Sequence, residues 1–124
     1  MNSSKDIIDD IIRLYEEGDI ISILKNSDEL LAKFPHNATI HNILGAGFSQ
    51  FNQFEKSIHH LQKAIEIEPD NHLILNNLGN VLIDVNELQK AIEVIYKALN
   101  IRPDFAEGYN TLGLALYKGK DIEG

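Results

Sequence analysis

The chain has 124 residues, a net charge of −8 and a pI near 5.0. That is the size of one domain, and its 44% hydrophobic share excludes general disorder. The acidic balance argues against nucleic acid and anionic membrane surfaces as partners, since both need clustered Lys and Arg; it favours neutral or basic protein segments. Cysteine is absent, which excludes disulfides, thiolate catalysis and cysteine-based zinc sites.

In chain order, the opening stretch MNSSKDIIDDIIRLYEEGD carries Asp6, Asp9 and Asp10 where a secretory leader needs an unbroken apolar core. No apolar run approaches the ~18 residues of a membrane span, so a cytoplasmic protein is expected. Residues 1–37 read as a divergent pair of helices joined at EEGD and closed by Pro35. In residues 38–51, Ile40, Ile43, Leu44, Gly47, Phe48 and Phe51 fall at helical spacing. Asn52 and Gln53 interrupt that pattern. Residues 54–67 resume it with Phe54, Ile58, Leu61, Ala64, Ile65 and Ile67, and Pro69 ends it because the residue before a proline avoids helix. The same order recurs at 72–85, a turn at Asn86 and Glu87, and 88–101. A last helix is predicted over 106–118. YKGKDIEG then reads as a turn plus the start of a further helix, so the chain is expected to be a piece of a longer array. Sustained alternation is missing, and no sheet is expected.

These segments obey one ruler. Pro35, Pro69 and Pro103 are equally spaced, and the same interval separates Asn42, Asn76 and Asn110, Leu44, Leu78 and Leu112, and Gly45, Gly79 and Gly113. A mid-helix glycine costs about 1 kcal/mol relative to alanine. In register three times, it marks a place where two helices joined by a short turn cross closely, with Ala64 and Ala98 on the facing side.

The interval and the residues on it resemble the tetratricopeptide repeat (TPR), W-x2-L-G-x2-Y, A-x3-F, A and P, whose period is the same. The stretches that carry it are HNILGAGF with SIHHL and AIEIEP, LNNLGNVL with AIEVI and ALNIRP, and YNTLGLAL. His41, Phe48, Ser57 and Leu61 fill the four large and small slots of one unit; Leu75, Leu82, Ala91 and Ile95 fill those of the next, and Tyr109 and Leu116 begin a third. Before residue 37, Asp10 and Ile11 replace the Leu-Gly pair and Ser27 replaces a large apolar residue. The resemblance implies an all-α, right-handed solenoid of stacked helix-turn-helix units, about seven helices in all. The expected division is a TPR-like cap at 1–37, repeats at 38–71 and 72–105, and the first helix of an incomplete repeat at 106–124.

Residue chemistry points away from catalysis. There is no supported nucleophile–base arrangement and no glycine-rich phosphate loop. The carboxylates, Asp9–Asp10 and Glu16–Glu17 among them, read as solvated helix faces. The histidines, His36, His41, His59, His60 and His72, show no metal-ligand spacing, and His41 is expected to pack in the aromatic slot. No enzyme activity, metal or cofactor is expected.

By the resemblance, the first helix of each pair lines a concave groove for peptides or partner proteins. The groove would take Thr39, Asn42, Ala46 and Ser49, then Leu73, Asn76, Asn77, Asn80 and Ile83, then Glu107, Asn110, Leu114 and Tyr117. Asn42, Asn76 and Asn110 would form an amide ladder that binds an extended backbone or, equally, neighbouring helices. The positions with which the chaperone-binding subgroup grips a carboxylate hold Asn42, Ala46, Asn77, Glu107 and Thr111; only Asn77 fits, and Glu107 repels. The leading expectation is thus a protein-interaction scaffold. Two others stand beside it: a homodimer through an open face of Leu112, Ala115, Leu116 and Ile122, or the targeting arm of a larger transferase.

Overall fold

The computed structural model describes the backbone of residues 3–123 and the side chains of residues 3–120. Eight helices occupy them: α1 (Ser4–Glu16), α2 (Ile20–Lys25), α3 (Ser27–Lys33), α4 (Ala38–Gln50), α5 (Phe54–Ile67), α6 (His72–Asp84), α7 (Leu88–Ile101) and α8 (Ala106–Glu123). Among the described residues there is no strand.

Starts and turns are set locally. Ser3 and Asp6 form a capping box on α1, while Asn37 and Asn71 accept the free N–H groups of α4 and α6. Such caps are worth about 1 kcal/mol each. Turns between paired helices pivot on left-handed residues in the same register, Gly18 (φ 81°), Asn52 (φ 60°) and Asn86 (φ 63°). Glycine and asparagine tolerate that conformation, whereas a long side chain pays roughly 1–2 kcal/mol there.

Packing within each pair follows the glycines. A Cβ added at Gly45 would lie 2.6 Å from Leu61 Cγ, and one at Gly79 would overlap Ile95. Each glycine is therefore a notch that receives a fully buried aliphatic knob from the following helix. Ser57 Oγ donates to the Gly45 carbonyl at 2.6 Å, fixing the same crossing. Ala64 and Ala98 are fully buried on the facing side. One apolar cluster runs from α4 to α8 through Leu61, Ile74, Leu78, Leu82 and Ala91. A second joins α1–α4 through Ile11, Ile23, Leu30, Ile40 and Leu44. Burying each Leu or Ile side chain among them stabilises the fold by about 1.5–3 kcal/mol.

One expectation is sharpened and one needs correction. The expected count of about seven helices is eight among the described residues, because the second helix of the first pair is split at Asn26, which ends α2 and precedes α3. Its Nδ2 donates to the Ser22 carbonyl at 3.0 Å, the backbone competition that makes asparagine a poor helix-interior residue. At the other end, the turn expected in YKGKDIEG is not formed, and α8 runs on to Glu123. The residue in register with Gly18, Asn52 and Asn86 there is Lys120, which lacks their tolerance for positive φ.

Candidate functional site

Helices α4, α6 and α8 form a row in which each touches the next. Two side-chain contacts stitch the row: Asn77 Nδ2 donates to Asn42 Oδ1 at 2.9 Å, and the one proton of Thr111 Oγ1 is shared between Asn80 Oδ1 at 3.3 Å and the Glu107 carbonyl of its own helix at 3.0 Å. The thirteen groove residues expected from sequence divide accordingly. Leu73, Asn80, Glu107, Asn110, Leu114 and Tyr117 are exposed. Thr39, Asn42, Ala46, Ser49 and Asn77 are half-buried, and Ser49 Oγ turns inward to the Ala46 carbonyl.

Asn76 and Ile83 are buried, Asn76 to 5% exposure, because α6 is covered from both sides by α4 and α8. They present nothing to a ligand, which corrects their assignment to the groove. The amide ladder is corrected in the same way. Asn42 bonds Asn77, Asn110 stands exposed, and the buried Oδ1 of Asn76 has no partner among the described residues.

The expected self-association face also divides. Ala115 is fully buried in the central cluster and Leu112 packs on Ile95, Leu99 and Phe105, so neither is open. α7 and α6 already cover that side of α8. Leu116 is exposed. Ile122 lies outside the described side chains.

Two features escaped the sequence reading. Between α1 and α3 an apolar cleft of about 530 Å³ is lined by Ile7, Ile11 and Leu30, with Asp10, Glu29 and Lys33 at its edges. The other is a buried histidine pair. His41 Nε2 lies 2.8 Å from the Pro35 carbonyl, and His41 Nδ1 lies 3.0 Å from His60 Nδ1. A carbonyl only accepts, so Nε2 of His41 carries a proton, and one hydrogen bridges the two Nδ1 atoms. His60 stacks between His41 and Phe48. Burial, then the charges of His41, His59 and Lys56, lower its pKa from 6.5 to about 4. His60 is therefore a neutral structural element at ordinary pH. Among the described residues, no group of three or more His, Asp or Glu side chains could hold a metal ion. No helix there is long and apolar enough to cross a membrane.

Comparison with known proteins places this arrangement. The TPR repeat profile matches residues 48–85 and 79–119. No curated protein matches the sequence. An O-GlcNAc transferase mutant from Thermobaculum terrenum is similar at TM-score 0.82 and 23% identity, over 94% of this chain and 23% of that one. MamA is similar at TM-score 0.80 and 25% identity, over 93% of this chain and 64% of its own. The chain thus spans less than two thirds of either relative. The first TPR of Spaghetti (RPAP3), bound to the HSP90 peptide SRMEEVD, is similar at TM-score 0.81 and 11% identity, over 94% of this chain and 90% of its own. The repeats form a protein–protein interaction module on a fold that generally serves as a non-catalytic scaffold. With the repeat profile covering more than half its length, the chain belongs to the tetratricopeptide repeat family.

Proposed function

We propose that this chain is a non-catalytic scaffold whose α4–α6–α8 face holds an extended peptide segment of a partner protein. The observation that carries the reading is the mixture exposed on α6 and α8: apolar Leu73, Leu114 and Tyr117 beside the amides of Asn80 and Asn110. Apolar side chains offer area to bury, and amides can meet both the N–H and the C=O of an extended backbone. The polar stitches between Asn42 and Asn77, and between Thr111 and Asn80, hold the surface rigid before a ligand arrives.

Charge favours a neutral or basic segment. Glu107 stands on this face and the chain carries −8 overall. An acidic tail such as the SRMEEVD bound by the Spaghetti domain would meet Glu107, and Asn77 is already bonded to Asn42. A second reading is the targeting arm of a larger transferase. It rests on the fold shared with the O-GlcNAc transferase chain, and the surrounding reading frame tests it.

The groove is tested with peptides selected from a display library and measured by fluorescence anisotropy. Binding at micromolar strength, about −8 kcal/mol, is expected. The double variant Leu114→Ala/Tyr117→Ala, at exposed positions, should weaken it at least tenfold. Unchanged affinity would reject this face as the binding surface.

A further inference from the structure

Four departures from the repeat meet on one surface, at the junction of the first two helix pairs. One repeat interval beyond Ile21, Ser27, Phe51 and Gln53 stand Glu55, Leu61, Val85 and Glu87. Glu55, and Gln89 one interval later, are exposed and polar, as a solvated helix face requires; Ile21 is 66% exposed and apolar. Val85 is half-buried, whereas the larger Phe51, at the C-cap of α4, is 47% exposed. Leu61 is a fully buried knob, and Ser27 in its register is too small to fill the same space. Glu87 pairs with Lys90 at 3.0 Å; Lys56 holds the register of Lys90, but Gln53 offers it no charge.

These residues line one groove of about 440 Å³ between α2, the first turn of α3 and the turn from α4 to α5. Ile21, Leu24, Phe48 and Phe51 supply its apolar lining, and Lys25 and Lys56 stand on different walls, one at the end of α2 and the other in α5. Lys56 Nζ lies 5.4 Å from the centre of the Phe48 ring. Among the described residues neither lysine belongs to an ion pair. In a chain of 11 basic and 19 acidic residues this is a local reversal, with two lysines against Asp28 alone in the lining.

Exposed apolar side chains and unpaired cations in one groove are satisfied together by one kind of ligand. We propose that this groove docks a short linear segment of a partner protein in which a Leu or Phe anchor is flanked on both sides by Asp or Glu. The anchor enters among Ile21, Leu24 and Phe51, above Phe48, and the carboxylates meet Lys25 and Lys56. Apolar burial supplies affinity, while the lysines set orientation and disfavour basic segments. An anionic lipid surface fits less well, because the site is concave, Asp28 stands in its wall and the chain as a whole is acidic. The inference does not rest on the α4–α6–α8 reading: it uses other side chains and the opposite charge preference.

The test pans short random peptides displayed on phage against the whole chain, with counter-selection on the double variant Ile21→Glu/Gln53→Glu. That variant carries at both positions the residue of the next unit, Glu55 and Glu87, so it is expected to fold, which a thermal melt verifies. Enriched peptides should carry a Leu or Phe flanked by Asp or Glu. By fluorescence anisotropy their affinity should fall at least tenfold on the double variant and on Lys25→Glu/Lys56→Glu, both pairs being exposed. It should be retained on Ile21→Leu and on Leu114→Ala/Tyr117→Ala, which separates this groove from the α4–α6–α8 face. The proposal is overturned if no peptide is enriched on wild type over the double variant, if the enriched peptides lack acidic residues, or if binding survives Lys25→Glu/Lys56→Glu. It is equally overturned by binding to phosphatidylserine vesicles, or by a concentration-dependent dimer, that the double variant abolishes, since these assign the groove to a membrane or to a second copy.

Discussion

The α4–α5 pair and the α1–α3 segment occupy the same register and pack in opposite ways. In α4–α5, Gly45 is the notch and Leu61 the knob. One repeat earlier the sizes are exchanged, with Ile11 in the notch position and Ser27 in the knob position. Ile11 is buried, but in the apolar cluster that α1 shares with α2, α3 and α4 rather than in a notch across the pair. Helices α1 and α3 stand apart with the cleft between them, and α3 is severed from α2 at Asn26. Close crossing thus comes from one residue without a side chain opposite one large aliphatic residue; helix content alone does not produce it.

The sharpest way to break this comparison is to remove the knobs. Leu61→Ala should cost about 2–5 kcal/mol in urea denaturation, since it empties a fully buried site. Ser27→Ala, in the same register, should change stability by less than about 0.5 kcal/mol. An equal loss at both would show that the first pair relies on the same crossing.

Acid sharpens the comparison next. His60 has a lowered pKa, so its neutral form is the one that folding favours. Its contribution is intact above pH 6.5, declines as the unfolded chain takes up a proton, and is gone near pH 4. The positions of His41 and His60 in α6 and α7 hold Leu75 and Val94. The double variant His41→Leu/His60→Val should therefore remove this pH dependence between 6.5 and 4, measured by denaturation across that range. A profile unchanged from wild type would place the titration elsewhere.

The smallest expected effect is at the caps. Asn71→Ala, which loses two acceptor contacts to the first turn of α6, should cost about 1 kcal/mol. Ser3→Ala, whose capping box is exposed, should cost about half that. Thermal melts rank the two.

Much of the architecture was legible because it is periodic. The glycines, prolines and alanines at one fixed spacing located the pairs, and the Asp10–Ile11 and Ser27 departures marked the first pair as different. The site was less legible. Register pairs Asn42 with Asn76, but the bonds run diagonally, Asn42 to Asn77 and Asn80 to Thr111, so a residue's nearest neighbour is not its repeat equivalent. Exposure was also invisible, because Asn76 is covered by helices on both sides only after stacking. The His41–His60 contact joins two helices at a separation that carries no periodic signal. At the other end, Lys120 in place of Gly or Asn was a readable sign that α8 would not turn, visible once the left-handed residues were known.

The most direct measurement sets two glycine substitutions of identical chemistry side by side in chemical denaturation. Gly45→Ala puts a methyl group against Leu61 and the Ser57 carbonyl, and a loss of about 1–3 kcal/mol is expected. Gly113→Ala meets nothing within 4 Å, and helix propensity alone should make it neutral or more stable by up to about 1 kcal/mol. Equal shifts, or a greater loss at Gly113, would contradict a fold held together by filled notches.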